Sequence, residues 1–306
     1  MPRIHRQHLD CVFYLYKSRE DAEAGINIGG TGFLVATPTS DGLGHHYGVT
    51  NWHVAVKSGA SVIRLNTVDG GIDIIELGPE DWLFEPGKDD IAIAPLSIRR
   101  PEQKAWFIGI STFITRELAD KFYFGPGDDV FMIGRFVDLD EKETNTPSLR
   151  FGNISTQPVR VTQPTKYKDG FSYCVDMHSR SGYSGSPDFV YRTPGNDLAW
   201  AIERGPIDIS NARMMLLGIH WGQFPEDWDV IEEGSLEESS VSSLGNGKKI
   251  RGLSGMTCVI PAWRIMDILN SENLGNQRKA IEKSRGSETT AEKPMDSGLR
   301  RNDGFR

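Results

Sequence analysis

Hydrophobic residues along this chain fall into short runs, each closed off by glycines or by acidic and other polar residues. Short apolar runs between turn residues are typical of β-strands, and amphipathic runs of helical length are few. Before residue 97 the pattern predicts strands at 11–16, 29–36, 46–54, 61–66, 72–77, 82–84 and 91–96. After residue 105 it predicts strands at 106–115, 130–136, 149–157, 171–177, 187–191, 214–221 and 256–260.

The two sets of strands are separated by a polar, basic crossing at 97–105 that contains a proline. Many short strands in each half are typical of small barrels, because a closed sheet hides its edges. We therefore predict an all-β fold of two packed antiparallel barrels, the first over residues 10–100 and the second over 101–270. The 33 glycines in 306 residues agree with a chain of many turns and bends.

Segments outside the strands complete the predicted organisation. Residues 1–9 form an N-terminal extension. Apolar residues within 261–269 recur at helical spacing, which predicts a short C-terminal helix on the second barrel. The acidic segment 223–252 is interpreted as a surface loop or insertion, and the polar segment 271–306 as a disordered tail.

Charge and composition argue against several classes of protein. A formal net charge of −8 does not favour the basic face that binds nucleic acid. No apolar run reaches the ~18 residues of a membrane span, and the amino terminus lacks a signal-peptide core. Cys11, Cys174 and Cys258 each lie in an apolar run, which favours buried free thiols over a disulfide. We therefore expect a cytoplasmic protein with no membrane or nucleic-acid partner.

The segment 179–187 predicts a loop that presents one serine. Gly182 and Gly185 flank Ser184, and glycine permits a sharp turn or a close approach of the backbone. A serine hydroxyl is a weak nucleophile near neutral pH, so it requires a base that accepts its proton. Glycine and serine are also ordinary loop residues, so the motif gains a function only if a base and an orienting acid occur elsewhere.

Histidine has the pKa suited to that base, and His53 lies just after the end of a predicted strand. Asp90 opens the apolar strand 91–96, where a carboxylate is costly unless a defined partner donates hydrogen bonds to it. A carboxylate that fixes the orientation of His53 would have that partner. The alternatives are a structural histidine and an acid that caps a turn, and the second interpretation is retained for Asp89.

A metal site is a further interpretation of the histidines. His45, His46 and His53 lie close together in the sequence, but their spacing is not that of a compact zinc site. No cysteine or glutamate completes the set. We therefore predict no metal ion and no cofactor.

Three segments in the order His, Asp, Ser carry a resemblance to a known family: Thr-Asn-Trp-His-Val at 50–54, Asp-Ile-Ala at 90–92, and Gly-Tyr-Ser-Gly-Ser-Pro at 182–187. Over about residues 10–270 the chain resembles the chymotrypsin-like (trypsin-fold) serine proteases. The resemblance implies two six-stranded β-barrels of chymotrypsin type with a cleft between them. It also implies a protein or peptide substrate.

The same resemblance assigns roles to the candidate residues. His53 would be the general base and then the general acid, Asp90 its orienting group, and Ser184 the nucleophile. The backbone N–H groups of Gly182 and Ser184 would form the oxyanion hole, whose donors are commonly worth ~2.7 to 4 kcal/mol of barrier.

The segment 217–222, Leu-Gly-Ile-His-Trp-Gly, resembles the strand that walls the specificity pocket of bacterial glutamyl endopeptidases. By that resemblance His220 would bind an acidic substrate side chain, with Trp221 and Gly222 beside it. His178 is either a second imidazole of this pocket or an ordinary histidine at a strand end. Cleavage after Glu is the resulting hypothesis.

Two departures from the family affect regulation. Animal trypsins have a cysteine after the catalytic histidine and an aspartate before the serine, whereas this chain has Val54 and Tyr183. Tyr183 does not form the ion pair with a freed amino terminus, so activation of the trypsin type is not expected. An intracellular protease requires control, and we expect a partner, a ligand or a loop to supply it, with 223–252 and the tail as candidates. The alternative function is a protease-fold module that binds peptides or proteins without cleaving them.

Overall fold

The computed structural model describes residues 3–39, 44–98, 101–135, 143–162, 169–178, 182–192, 214–229 and 249–291. By its contacts the chain divides into one compact unit over Met1–Ile268 and another over Leu269–Arg306. Both β-sheets belong to the first unit.

The first sheet is built from the amino-terminal third of the chain. Its hydrogen-bonded order is β5-β4-β1-β2-β3-β6, and β7 pairs in parallel with β2. Phe13, Leu15, Leu34 and Trp82 are among the buried residues of its core. The strands are β1 Val12–Tyr16, β2 Gly30–Thr37, β3 His45–Thr50, β4 Val62–Asn66, β5 Ile72–Ile75, β6 Ala92–Leu96 and β7 Ile108–Gly109.

The second sheet is a closed barrel in the order β10-β13-β12-β11-β8-β9. Every pairing in it is antiparallel. Met132, Val175, Tyr183, Val190 and Leu217 are among the buried residues of its core. The strands are β8 Asp129–Gly134, β9 Ser148–Thr162, β10 Asp169–Asp176, β11 Pro187–Tyr191, β12 Met214–Asp229 and β13 Lys249–Pro261.

The predicted all-β fold with two sheets, each based on six strands, is confirmed. Two of the predicted strands differ in the structure. Only Ile108–Gly109 of the run 106–115 is a strand, and it joins the first sheet instead of the second. The run 82–84 forms a single bridge between Leu83 and Ile93. In both places apolar side chains are needed for the core, but the backbone makes few ladder contacts.

Two short helices were not predicted from the sequence. Arg19–Ala24 begins after Ser18, whose hydroxyl accepts the N–H of Asp21. Arg116–Phe122 begins after Thr115, whose hydroxyl accepts the N–H of Leu118. A serine or threonine at this position satisfies one of the free N–H groups of the first helical turn.

The C-terminal segment contains the helices Ala262–Leu269 and Glu272–Ala291. The first confirms the predicted short helix. The second differs from the expected disordered tail, since residues 272–291 are helical. Good helix formers such as Gln-Arg-Lys-Ala at 277–280 favour this helix, and the Arg278 guanidinium donates to the Leu269 carbonyl at 2.7 Å. The rest of the predicted tail, 292–306, lies outside the described residues. None of the helices in the described ranges combines the length and apolar character required to span a membrane.

The segment 223–252 is also more regular than expected. β12 and β13 remain paired as far as Asp229 and Lys249, so both ends of the segment are strands. Long strands of this kind were missed because charged and proline residues interrupt the apolar pattern, while the backbone ladder continues. Residues 230–248 lie outside the described residues.

All three cysteines are buried and none forms a disulfide, as predicted. Cys174 on β10 and Cys258 on β13 are directly opposite in the ladder. Both side chains are therefore part of the wall of the second barrel.

Asp188 is an ionisable residue inside the second barrel. It lies on β11, opposite Met132 of β8 and Gly218 of β12, and it is fully buried. Neither of its carboxylate oxygens has a hydrogen-bond partner. Burial raises the pKa of the Asp188 carboxyl well above its usual value, because the charged form loses its hydration.

We expect Asp188 to make the stability of the fold depend on pH. A carboxyl whose folded-state pKa exceeds its unfolded value of about 3.9 does not lower the free energy of unfolding at acid pH, where it is protonated in both states. It lowers this free energy as pH rises, because the unfolded chain ionises more readily. Asp188→Asn should therefore raise Tm at pH 8 and converge with wild type towards pH 4. One kcal/mol corresponds to about 2–4 °C in a protein of this size.

Thermal unfolding from pH 4 to pH 9 provides the measurement. Asp176→Asn is the control, since Asp176 is an exposed aspartate on strand β10 of the same barrel. It should not change the pH dependence. An equal effect of the two substitutions would contradict the prediction.

Candidate active site

His53 stands where the chain leaves β3 and turns. The N–H groups of Val54 and Ala55 both donate to the Asn51 carbonyl, and the Ser58 N–H donates to the His53 carbonyl. This forms one turn of π-helix over His53–Lys57. The turn places the imidazole at the end of the first sheet, with 24% of its side chain exposed.

Asp90 holds His53 through both of its carboxylate oxygens. Oδ1 accepts the backbone N–H of His53 at 2.8 Å, and Oδ2 lies 2.5 Å from the imidazole Nδ1. The Asn51 side-chain amide also donates to the Asp90 carbonyl at 2.8 Å. Only 3% of the Asp90 side chain is exposed, so its charge depends on these protein donors.

This arrangement selects a tautomer of His53. An ionised carboxylate only accepts hydrogen bonds, so the proton of a neutral imidazole lies on Nδ1. Nε2 then has its lone pair available to accept a proton. A histidine held in this way can act as a base towards a hydroxyl group.

The loop that carries Ser184 is hydrogen-bonded to the first sheet through Thr31 of β2. The Thr31 N–H donates to the Ser184 carbonyl at 2.9 Å, and the Thr31 hydroxyl donates to the Gly182 carbonyl at 2.8 Å. A Cβ added to Gly30 would lie 2.9 Å from Val54 Cγ1 and 3.0 Å from the Ser184 carbonyl oxygen. Residues next to His53 and Ser184 itself therefore flank the same point of β2.

Gly185 is the position of closest approach between this loop and β2. Its φ of 86° lies in the left-handed region. A Cβ at this position would overlap the carbonyl oxygen of Thr31 and the hydroxyl oxygen of Thr50. The glycine predicted to permit a close approach does so here.

The other side of the loop is held by β12. The Gly185 N–H donates to the His220 carbonyl at 3.0 Å, and the His220 N–H donates to the Ser186 carbonyl at 2.9 Å. His220 is only 1% exposed. Burial, and in second place the charge of His53, lowers the pKa of His220 to about 3, so this imidazole is neutral at physiological pH.

The remaining predicted specificity residues are distributed around β12 and β10. Trp221 is buried, and its indole N–H donates to the Ser172 hydroxyl at 2.8 Å. Gly222 pairs with Cys258 of β13. His178 is exposed and its ring lies against Gly255, 3.1 Å from the position of an added Cβ.

Asp89, interpreted as a turn-capping acid, has an additional contact. Its Oδ2 lies 2.5 Å from Nε of Arg264, in the helix Ala262–Leu269. Arg264 Nη1 also contacts Asp267 at 3.0 Å. The residue before Asp90 is thus fixed to the C-terminal helix of the second barrel.

Sequence reasoning missed the residues that hold the loop. Thr31 belongs to a glycine-rich strand, and its role depends on a pairing with residues about 150 positions later, which no local pattern indicates. Tyr183 was noted only for the ion pair that it does not form. Its hydroxyl contacts Ser148 and Arg150 of β9.

Comparison with known proteins finds structural likeness only. No family model and no curated protein matches the chain. The chain is similar to the MamO protease domain from Magnetospirillum magneticum in its apo form, with TM-score 0.48, 16% identity and coverage of 88% of this chain and 100% of that one. It is also similar to the HtrA-type protease AlgW with a decapeptide, with TM-score 0.44, 17% identity and coverage of 80% and 51%.

A third similar structure is the Rv3671c protease in an inactive form, with TM-score 0.43, 16% identity and coverage of 85% of this chain and 88% of that one. All three neighbours are proteases or protease domains, and one of them is in an inactive form. Within the described residues, no group of three or more His, Cys, Asp or Glu side chains is arranged to hold a metal ion.

We expect Gly185→Ala to destabilise the protein more than a glycine substitution elsewhere in left-handed backbone. Gly59→Ala is the matched control, because Gly59 has φ 73° and an added Cβ would have no atom within 4 Å. The control should cost about 1–2 kcal/mol for backbone strain alone. Gly185→Ala should cost about 1–3 kcal/mol more, because its methyl group overlaps Thr31 and Thr50. Urea unfolding measures both, and equal losses would contradict the close approach.

Proposed function

We propose that the protein is a serine endopeptidase. His53 is the general base and acid, Asp90 orients it, and Ser184 is the nucleophile. The N–H groups of Gly182 and Ser184 stabilise the oxyanion. The substrate is a protein or peptide chain.

The observation that carries this proposal is the contact of the buried Asp90 carboxylate with His53. One carboxylate oxygen accepts the backbone N–H and the other faces Nδ1, so the imidazole is fixed in position and tautomer. A histidine that only fills space in a core does not require a buried carboxylate that contacts both its backbone N–H and its ring. Hydrogen bonds with Thr31 of β2 and His220 of β12 hold the loop that carries the glycine-flanked serine.

The reaction follows from these groups. Ser184 Oγ attacks the scissile carbonyl carbon, its proton passes to His53 Nε2, and the carbonyl π electrons move onto the oxygen. The oxyanion then collapses, the C–N bond breaks, and His53 protonates the leaving amine. His53 then takes a proton from water, whose oxygen attacks the carbonyl carbon of the resulting ester. The ester C–O bond breaks, and His53 returns the proton to Ser184 Oγ.

We extend the proposal to cleavage after Glu. Support comes from the strand sequence around His220 and from the position of this residue. Its backbone carbonyl and N–H are hydrogen-bonded to Gly185 and Ser186, which directly follow Ser184. Because the pKa of His220 is lowered to about 3, its ring would act through a hydrogen bond from a neutral N–H group. A substrate carboxylate that accepts this bond would raise the pKa of His220 again.

Control of activity by a partner or ligand is also part of the proposal. Its support is the expectation from the sequence that the protein is cytoplasmic, since a protease in that compartment must be restrained. Comparison of the isolated protein with lysate measures it, and full constitutive activity of the isolated chain would contradict it.

A fluorophosphonate probe tests the nucleophile. Wild type should be labelled, and Ser184→Ala should not. Asp90→Asn should fold but lose about 10⁴-fold in kcat, since the substitution disturbs the tautomer of His53. Absence of labelling in wild type under all conditions, with retained peptide binding, would favour the non-cleaving module instead.

Peptide-library profiling tests the preference. Glu should be enriched at the residue before the cut, and His220→Gln should lower kcat/KM for Glu substrates by about 10-fold, the effect of one lost hydrogen bond to a charged group. His178→Gln, measured in parallel, shows whether that exposed imidazole contributes. Enrichment of Lys, Arg or Phe would contradict the proposal.

A further inference from the structure

Tyr183, which directly precedes Ser184, is enclosed by residues of the second barrel. Its ring is fully buried in the barrel core. Its hydroxyl lies 2.5 Å from the Ser148 hydroxyl and accepts Nε–H of Arg150 at 3.2 Å. The Arg150 guanidinium also lies over the ring, 5.7 Å from its centroid.

The neighbouring strands are shaped to receive this tyrosine. Ser148 and Arg150 stand at the start of β9, opposite Gly134 and Met132 of β8. A Cβ on Gly134 would lie 2.7 Å from Tyr183 Cδ1 and would overlap the Ser186 hydroxyl. The space for the ring therefore depends on a glycine in β8, and the bonds to its hydroxyl depend on β9.

The position of Tyr183 determines the direction of a backbone donor. The peptide between Tyr183 and Ser184 carries the Ser184 N–H, which is one of the two proposed oxyanion donors. In this same peptide the Tyr183 carbonyl accepts the Ser186 N–H, and in the preceding peptide the Gly182 carbonyl accepts the Thr31 hydroxyl. A rotation of the Tyr183 ring away from β9 would turn this peptide and misdirect the N–H.

We propose that Tyr183 is a positioning residue that aims the Ser184 N–H at the oxyanion through its hydroxyl contacts with Ser148 and Arg150. The inference rests on the proposed function of Ser184. The contacts of the Tyr183 hydroxyl are made with residues of the same barrel, so they do not require an ion pair with a freed amino terminus. They therefore hold the loop in place in the uncleaved chain.

Kinetics of Tyr183→Phe provide the first test, since this substitution keeps the ring and removes only the hydroxyl. We expect kcat to fall by about 10-fold to 100-fold while KM changes less than about 2-fold, because a misaimed oxyanion donor affects the transition state and not substrate binding. Ser148→Ala should give a loss of the same kind. The double variant should be little worse than either single one, because the two hydroxyls act as a unit.

Tyr173→Phe is the matched control. Tyr173 is a fully buried tyrosine of the same barrel core, and its hydroxyl has no hydrogen-bond partner. This substitution should leave kcat unchanged. A peptide aldehyde, which forms a tetrahedral oxyanion with the serine, should lose affinity for Tyr183→Phe in proportion to the loss of kcat.

The Ser184 amide resonance in ¹⁵N-serine-labelled protein gives a readout independent of turnover, assigned by its loss in Ser184→Ala. It should shift in Tyr183→Phe and not in Tyr173→Phe. Wild-type kcat in Tyr183→Phe, or an unmoved Ser184 amide, would overturn the inference. If wild type neither reacts with the probe nor cleaves peptides, the proposed function fails, and the amide shift alone then decides whether Tyr183 positions this peptide.

Discussion

The arrangement of the site depends on Thr31, a buried residue of the first sheet that is bonded through every polar atom it has. Its N–H and hydroxyl donate to the loop around Ser184, its carbonyl accepts the Thr50 hydroxyl, and its hydroxyl accepts the Arg135 N–H. A buried polar group is stable only when such partners are present. The strand that bears Thr31 and the loop that bears Ser184 therefore determine each other's position, and Gly185 permits the approach.

Three buried ionisable groups close to this junction show how differently burial can be compensated. Asp90 has a partner at each carboxylate oxygen, the backbone N–H and the imidazole Nδ1 of His53. His220 is neutral because burial lowers its pKa. Asp188 has neither a donor nor a counter-charge, and its pKa is raised instead. Only the first arrangement joins a buried carboxylate to an imidazole, and that arrangement can support acid–base chemistry.

The sequence was sufficient for the two-sheet fold, because strand periodicity is a local signal. Short motifs, also local, led to His53, Asp90 and Ser184 as candidates. The structure brings His53 and Asp90 into contact. The assignment of 106–115 to the second barrel holds only for its end, where Phe113 forms a bridge with Leu216 of β12. Ile108 and Gly109 pair with β2 of the first sheet, and this pairing is decided by packing over some seventy residues. Strand continuity beyond residue 223 was missed for a related reason, because a hydrogen-bonded ladder tolerates charged residues. The partners of Tyr183 lie 35 and 33 positions away, beyond the reach of any local pattern.

The ion pair between Asp89 and Arg264 joins residues 175 positions apart. During synthesis at about 5–20 residues per second, Asp89 therefore waits about 10–35 s for its partner to be made. The first sheet, with His53 and Asp90, is translated well before the loop of Ser184 and before the helix that fixes Asp89. The order of residues along the chain thus delays assembly of the site until almost the whole of both barrels has left the ribosome.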